Sequence, residues 1–165
     1  MHKKIVQLPE IKLVGIATRT SNEREMNPET AQIATTLQAY HATSVADNIP
    51  RRKKPNVTLC AYAQYESDLH GEYTYFVGEE VNSIDPDLPD GFTSLIIAPQ
   101  TYVVFTTDSG VMPSVVVNAW QKIWQMSPQE LTAERSYIAD FEVYDERASD
   151  PEKTSLDIYV GICKK

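Results

Sequence analysis

The chain shows the same order of predicted elements twice, and this repetition is what most limits the folds open to it. In the first half, residues 11–18 are short and rich in β-branched residues, as expected of a strand. Asn27, Pro28 and Glu29 then supply a cap, a first-turn proline and an acidic residue for a helix that ends before Pro50. Two more strands are predicted at 57–65 and 73–81, joined by a turn. The first half is therefore predicted as βαββ.

The second half repeats this order after a connector rich in Pro, Asp and Gly at 85–91. Residues 101–106 resemble a strand, 113–126 carry apolar side chains at helical spacing, and 137–144 and 155–163 alternate like strands. The halves also share a string, Tyr-Phe-Val-Gly at 75–78 and Ile-Tyr-Val-Gly at 158–161. We therefore predict an α+β fold in which two βαββ repeats form one antiparallel sheet, with two helices and a pocket between the halves.

The length of 165 residues suits one compact domain, so 1–165 is predicted as a single unit with repeats at about 11–84 and 93–165. Hydrophobic residues make up 42% and charged residues 23%, which is ordinary for a globular protein. No apolar run approaches the roughly 20 residues that span a bilayer, and the first residues lack the apolar stretch of a signal peptide. We expect a cytoplasmic protein with no membrane partner.

Charge and motif content exclude several functions. A net charge of −8 repels a phosphate backbone, so direct nucleic-acid binding is disfavoured, and the basic run 51–54 between two prolines is predicted as a solvated loop. The scattered histidines and two cysteines offer no metal-ligand spacing, and we predict neither a metal site nor a cofactor. G-x-S-x-G, P-loop and HExxH strings are absent, so no catalytic residue is identified and an enzyme function stays open.

Strand parity selects the candidate site residues. In 137–144 the face with Phe141 suits packing under a helix, which leaves Glu142 and Tyr144 on the opposite face. The same argument leaves Tyr159 opposite the apolar face of the last strand and Tyr62 opposite that of 57–65, and the repeat adds Phe76 as a counterpart. Helical spacing allows Trp120 either in the core or projecting into the pocket. The predicted ligand-binding set is Glu142, Tyr62, Tyr144, Tyr159, Trp120 and Phe76.

A carboxylate among aromatic rings suits a cation, because ring faces attract positive charge and a poorly hydrated carboxylate strengthens that attraction. The residues alone leave a second interpretation open, in which this face of the sheet contacts solvent and its acidic side chains need no further explanation.

Four stretches of the chain resemble the GyrI-like effector-binding domain family in its stand-alone form. They are Ala-Tyr-Ala-Gln-Tyr-Glu-Ser-Asp at 61–68, Gly-Glu-Tyr-Thr-Tyr-Phe-Val-Gly at 71–78, Ala-Asp-Phe-Glu-Val-Tyr at 139–144 and Asp-Ile-Tyr-Val-Gly-Ile at 157–162. The resemblance covers about residues 13–162 and includes Trp120 and Trp124 on the second-half helix.

The resemblance implies a domain that captures lipophilic, often cationic, drug-like molecules between its halves, with the strand glutamate, here Glu142, as a central anchor. Members of the family serve multidrug-responsive transcription regulation or stand alone as sensors. Two alternatives follow from the same resemblance: a hydrolase of strained electrophilic genotoxins that uses the glutamate, or an inhibitor that binds a protein partner such as gyrase.

Overall fold

The structure, a computed structural model, describes residues 1–163 and shows one antiparallel sheet with helices on one side. Its strands are β1 (His2–Leu8), β2 (Ile11–Ser21), β3 (Thr58–Ala63), β4 (Glu72–Glu80), β5 (Thr93–Ile97), β6 (Gln100–Thr106), β7 (Arg135–Tyr144) and β8 (Asp157–Ile162). The helices are α1 (Asn22–Glu25), α2 (Ile33–Ala42), α3 (Ser114–Gln125) and α4 (Pro128–Leu131), with 3₁₀ turns at Ala46–Asn48 and Glu146–Ala148. The predicted α+β class is confirmed. None of the helices within residues 1–163 has the length and apolar character that a membrane crossing requires.

The strands lie in the order β1-β6-β8-β7-β3-β4-β2-β5, so the two halves meet at the central pair β3 and β7. Each half contributes the predicted βαββ order, β2-α2-β3-β4 in the first and β6-α3-β7-β8 in the second. Strands β1 and β5 were not predicted. They pair with the opposite half, β1 with β6 and β5 with β2, and therefore tie the halves together.

Two short links, residues 9–10 and 98–99, join the two ends of the sheet, and the strands on either side of these links pair in the same register. Leu8 lies opposite Gln100 and, beyond the link at 9–10, Ile11 lies opposite Ile97. Pro9 and Pro99 interrupt the ladder here because proline lacks the N–H that a strand donates. Strands β1 and β6 form one end of the sheet, and β2 and β5 form the other. Links of only two residues can connect these ends only because the sheet curls and brings them close together.

This curling gives the sheet two different faces, both buried. We call one the closed face, because every buried member of its core cluster is a strand side chain, among them Phe76, Tyr102 and Phe141. The other is the helix face, on which α2 and α3 each cover a core cluster of their own. The site lies on the helix face.

Helix α2 begins at Ile33, not directly after Asn27 as predicted. The side chain of Asn27 accepts a hydrogen bond from the N–H of Glu29 and so closes a local turn. The N-terminus of α2 is capped instead by Glu25, whose carboxylate accepts hydrogen bonds from the N–H groups of Gln32 and Ile33.

Candidate functional site

A cavity of about 540 Å³ lies between the two halves, under α2 and α3 and over the helix face of the sheet. Its floor comes from β3, β4 and β7, the central strands of the sheet. Its walls are mainly aromatic and aliphatic, with few charged groups. The lining includes Ile33, Leu37, Tyr62, Tyr65, Tyr73, Tyr75, Val116, Trp120, Trp124, Arg135, Glu142 and Tyr144. Such a lining, apolar with a few convergent polar groups, is typical of small-molecule sites.

Glu142 on β7 is the central polar group of the cavity and is only 3% exposed. Its Oε2 accepts hydrogen bonds from the hydroxyl of Tyr62 and from Nε1 of Trp120, both at 2.7 Å. Its Oε1 accepts a hydrogen bond from the hydroxyl of Tyr144 at 2.6 Å. The indole N–H of Trp120 can only donate, so it requires an acceptor oxygen on the carboxyl group.

Burial raises the pKa of Glu142, and the hydrogen bonds from Tyr144, Tyr62 and Trp120 oppose that rise by favouring the ionised form. None of the ion pairs formed within residues 1–163 includes Glu142. The carboxylate thus accepts hydrogen bonds from three neutral donors, and no cationic side chain of the described residues pairs with it. A buried charge without a counter-charge is expensive and marks a candidate functional group.

Aromatic rings surround this carboxylate on several sides. The ring of Tyr62 makes edge contacts with Tyr73 and Tyr75 at centroid distances of 5.6 Å, and with Trp120 at 5.4 Å. Trp124 follows one turn after Trp120 on α3 and is 45% exposed, at the outer part of the cavity. In an edge-to-face contact the ring that contributes its edge keeps its electron-rich faces out of that contact, and such faces attract cations.

A second charged group, Arg135, lies at the cavity wall. Its Nη2 donates a hydrogen bond to Oδ2 of Asp140 at 2.6 Å, and its Cζ lies 4.5 Å from the centroid of the Tyr137 ring. Asp140 is fully buried and also accepts hydrogen bonds from the hydroxyl of Tyr65 and the N–H of Gly161. This ion pair is separate from Glu142, which is bound by other donors.

Four of the six predicted site residues come together in the cavity: Glu142, Tyr62, Tyr144 and Trp120. Tyr159 and Phe76 do not, and their predicted orientation is wrong. Tyr159 lies opposite Phe141 in the β7–β8 ladder and stacks on that ring at 4.4 Å, on the closed face. Phe76 lies opposite Ala61 in the β3–β4 ladder and is buried in the same cluster.

Both errors have one cause. The prediction assigned the helices to the face opposite Glu142, whereas α3 and the cavity lie on the same side of the sheet. Ile158 lies opposite Glu142 and packs in the cluster under α3, so the aliphatic face of β8 belongs to the helix face. Phe76 was selected as the counterpart of Tyr159 and therefore shares its error.

Four further residues line the cavity that were not predicted from the sequence: Tyr73, Tyr75, Tyr65 and Arg135. For the first two a signal was present: tyrosines two residues apart in one strand share a face, and Tyr75 lies directly opposite Tyr62. Arg135 gave no signal, because a bulge in β7 changes the strand parity between it and Glu142.

Fold and site together define a small-molecule-binding domain made of two halves around an aromatic cavity. Residues 4–162 match the Cass2 family, described as integron-associated effector binding protein, and the chain belongs to that family. The resemblance seen in the sequence is thereby confirmed, and with it the general function of small-molecule binding.

Individual relatives agree with this assignment over nearly the whole chain. YobU of Bacillus subtilis, which is named as a transcriptional regulator, is 29% identical over 160 residues, 97% of each protein. VCH_CASS2, an integron cassette protein of Vibrio cholerae, has the same fold with a TM-score of 0.73 at 24% identity, covering 98% of this chain and 95% of its own. SAV2435, solved bound to tetraphenylphosphonium, has the same fold with a TM-score of 0.75 at 20% identity, covering 99% and 94%.

Proposed function

We propose that this protein is a stand-alone sensor or effector-binding protein that captures lipophilic cations in the cavity, with Glu142 as the counter-charge. The observation that carries the proposal is the buried carboxylate of Glu142, held by three neutral donors and by no cation of residues 1–163.

The carboxylate of Glu142 has no counter-charge among residues 1–163. Three hydrogen bonds replace part of the hydration that burial removes, but a buried charge still gains most from an opposite charge nearby. A ligand cation would supply that charge, and Tyr62, Trp120 and Tyr144 would keep the carboxylate oriented toward it. Because those three donors are neutral, they do not compete with the ligand for the role of counter-ion.

The shape and chemistry of the cavity support an apolar ligand. A volume of about 540 Å³ is within the range of drug-sized ligand sites, and most of the lining is aromatic or aliphatic. Burial of aromatic surface would provide affinity, while the ring faces and the buried carboxylate of Glu142 would select for positive charge. SAV2435, which shares the fold, was solved bound to a lipophilic monocation of this kind, tetraphenylphosphonium.

The test is a calorimetric titration with tetraphenylphosphonium and with triphenylmethanol, an uncharged molecule of related shape, against the wild type and Glu142→Gln. Glutamine keeps the size of the side chain and removes its charge. We expect the cation to lose about 1–3 kcal/mol of binding free energy, or roughly 5- to 150-fold in affinity, while the neutral compound changes little.

Glu79→Gln is the matched control. Glu79 is the other glutamate that is fully buried on the helix side of the sheet, but it pairs with Arg52 and does not line the cavity. Its replacement should leave the preference for the cation as in the wild type. Equal losses for both ligands in Glu142→Gln, or no loss for either, would show that Glu142 does not select for charge.

A further inference from the structure

We infer that the cavity has a second recognition point at Arg135, which takes an uncharged hydrogen-bond acceptor, such as an ester or ketone oxygen, on the same ligand whose cation faces Glu142. The inference rests on the proposed function and narrows it: the preferred ligand is a lipophilic cation that carries a carbonyl group away from its charge.

Most N–H donors of the Arg135 guanidinium have no acceptor among residues 1–163. The side chain is 9% exposed and lines the cavity, and within residues 1–163 it donates one side-chain hydrogen bond, from Nη2 to Asp140. Its Nε is closed to solvent and has no acceptor among those residues, whereas Nη1, which also donates no hydrogen bond there, keeps accessible surface and is the donor that a ligand in the cavity can reach. Arginine presents five N–H donors in a planar fork, and buried donors are normally paired. A ligand acceptor beside this fork would use donors that the protein leaves unused.

The backbone of β7 is distorted between Arg135 and Asp140, and this distortion positions the arginine. Arg135 and Asp140 are five residues apart, which is about 17 Å along a regular strand, with their side chains on opposite faces. The β7–β8 register shifts between these two residues, and Tyr137 adopts a left-handed conformation with φ of 52°. The bulge brings the arginine back to within hydrogen-bond distance of Asp140. Strained residues of this kind concentrate at functional sites.

Side chains and backbone support the bulge from below. Nε2 of Gln100 donates a hydrogen bond to the carbonyl oxygen of Ala139 at 2.8 Å, and the N–H of Gly161 donates to Oδ1 of Asp140 at 2.8 Å. A Cβ at Gly161 would meet the Ala139 carbonyl oxygen at 2.6 Å, so a larger residue would not fit against the bulge. The position of the ion pair is therefore built into the fold.

The charges at this end of the cavity point to an uncharged acceptor. Asp140 already neutralises Arg135, and Glu142 lies two residues further along the same face of β7. A ligand carboxylate would face both acids and gain little from the paired arginine. A neutral oxygen can accept a hydrogen bond from the guanidinium without adding a negative charge.

Strand geometry also sets the spacing between the two recognition points. Residues two apart in a strand are about 7 Å apart, so Asp140 and Glu142 fix the distance between the arginine and the cation site to that order. A carbonyl oxygen in the para position of a phenyl ring lies at a comparable distance from a phosphonium centre.

Three probes with the same charge centre test the inference: tetraphenylphosphonium carrying one para methoxycarbonyl, isopropyl or carboxylate group. Calorimetric titration of the wild type should show the methyl ester binding about tenfold more tightly than the isopropyl compound, and more tightly than the carboxylate. The double variant Arg135→Met, Asp140→Asn removes the guanidinium without leaving a buried acid unpaired. Its affinity ratio of ester to isopropyl compound should fall to about one.

Arg147→Met is the matched control, since Arg147 also pairs with aspartates, Asp145 and Asp157, but lies outside the cavity lining. It should keep the wild-type ratio. If the double variant does not fold, Arg135→Lys keeps the charge and loses the fork, and should also reduce the ratio. A wild-type ratio near one, or an unchanged ratio in the folded Arg135 variants, overturns the inference while leaving the proposed function intact. Failure of both net cations, the ester and the isopropyl compound, to bind overturns the proposed function and this inference with it.

Discussion

The hydroxyl of Tyr62, from the first half of the chain, donates a 2.7 Å hydrogen bond to Oε2 of Glu142, from the second half. The two residues occupy equivalent positions of the repeats. Val77 and Val160 precede the glycine of the shared string, and they lie opposite Cys60 and Asp140 respectively. Tyr62 and Glu142 are each two residues beyond those partners.

The equivalence of Tyr62 and Glu142 explains how two repeated halves place one carboxylate, and not two, at this point of the sheet. Two acids at matched positions across the centre of the sheet would repel each other in a poorly hydrated cavity. A tyrosine at one position and a glutamate at the other form a donor and acceptor pair instead, so these two positions contribute one carboxylate to the cavity. The site is therefore asymmetric although the strands that form it repeat.

The first prediction concerns pH. A cation binds the ionised form of Glu142, so affinity is present above the pKa of this group and falls as pH drops through it. Because burial raises that pKa, the loss should begin at a higher pH than for an ordinary glutamate, whose value is about 4.3. Titration of tetraphenylphosphonium, whose charge does not change with pH, should show this from pH 8 to 5. The affinity of Glu142→Gln should be flat over the same range, and a flat wild-type profile would contradict the prediction.

The second prediction concerns Tyr144, which donates to Oε1 of Glu142. Tyr144→Phe removes one of the hydrogen bonds that favour the ionised form, so the pKa of Glu142 should rise further. The midpoint of the pH profile for tetraphenylphosphonium should move upward, and affinity at pH 7 should fall by about 1 kcal/mol. Tyr65→Phe is the control, because the hydroxyl of this cavity tyrosine donates to Asp140. Identical midpoints in both variants would argue against a specific role of Tyr144.

Strand parity predicted part of the site because it is a local property. Within β7, Glu142 and Tyr144 are two residues apart and necessarily share a face, and Tyr62 follows from the same argument in β3. The side of the sheet that receives the helices is not local. It depends on the pairing of Glu142 with Ile158, which joins two strands, and periodicity within one strand carries no information about that pairing.

In the fold, too, the elements set by local sequence spacing were predicted, whereas those that depend on pairing between distant segments were not. The βαββ order followed from the spacing of apolar residues, but β1 and β5 are edge strands whose partners lie in the opposite half. Arg135 could not be predicted as a cavity residue, because the bulge at Tyr137 reverses the parity on which the argument depended.

The third prediction tests the reassignment of Tyr159 to the closed face. Its ring stacks on Phe141 with an interplanar angle of 13° and contacts Tyr102 at 5.8 Å. Tyr159→Ala should lower the free energy of unfolding by about 2 kcal/mol, measured in urea, through lost packing. The affinity of the folded variant for tetraphenylphosphonium should match that of the wild type. A large, selective loss of cation affinity would return Tyr159 to the ligand site.

The fourth prediction concerns nucleic acid. The basic residues at 51–53 each pair with an acid: Arg51 with Asp85 of the connector, Arg52 with Glu79 and Lys53 with Glu80. Their charges are thus largely compensated, and the net charge of the chain is −8. At physiological salt the protein should show no appreciable binding to a random DNA duplex in a gel shift. Tight binding that weakens steeply with added salt would be the contrary result.

The last prediction is that the wild type is less stable than Glu142→Gln when no ligand is bound. The pKa of Glu142 is raised in the folded state, so the folded protein holds the proton more strongly than the unfolded chain does. The stability that this proton provides is present at low pH and is lost as pH rises through the raised pKa, at about 1.4 kcal/mol for each pH unit of the difference.

Glutamine avoids this loss and can keep the hydrogen bonds. Its amide oxygen can accept from Tyr62 and Trp120, and its amide N–H can donate to the hydroxyl oxygen of Tyr144. At pH 7 the variant should therefore melt at a higher temperature than the wild type, and the difference should shrink toward zero near pH 4. Saturating tetraphenylphosphonium should raise the melting temperature of the wild type more than that of the variant, because a ligand stabilises the state that it binds. A variant that is less stable than the wild type at pH 7 would show that the three hydrogen bonds to the carboxylate outweigh the cost of its burial.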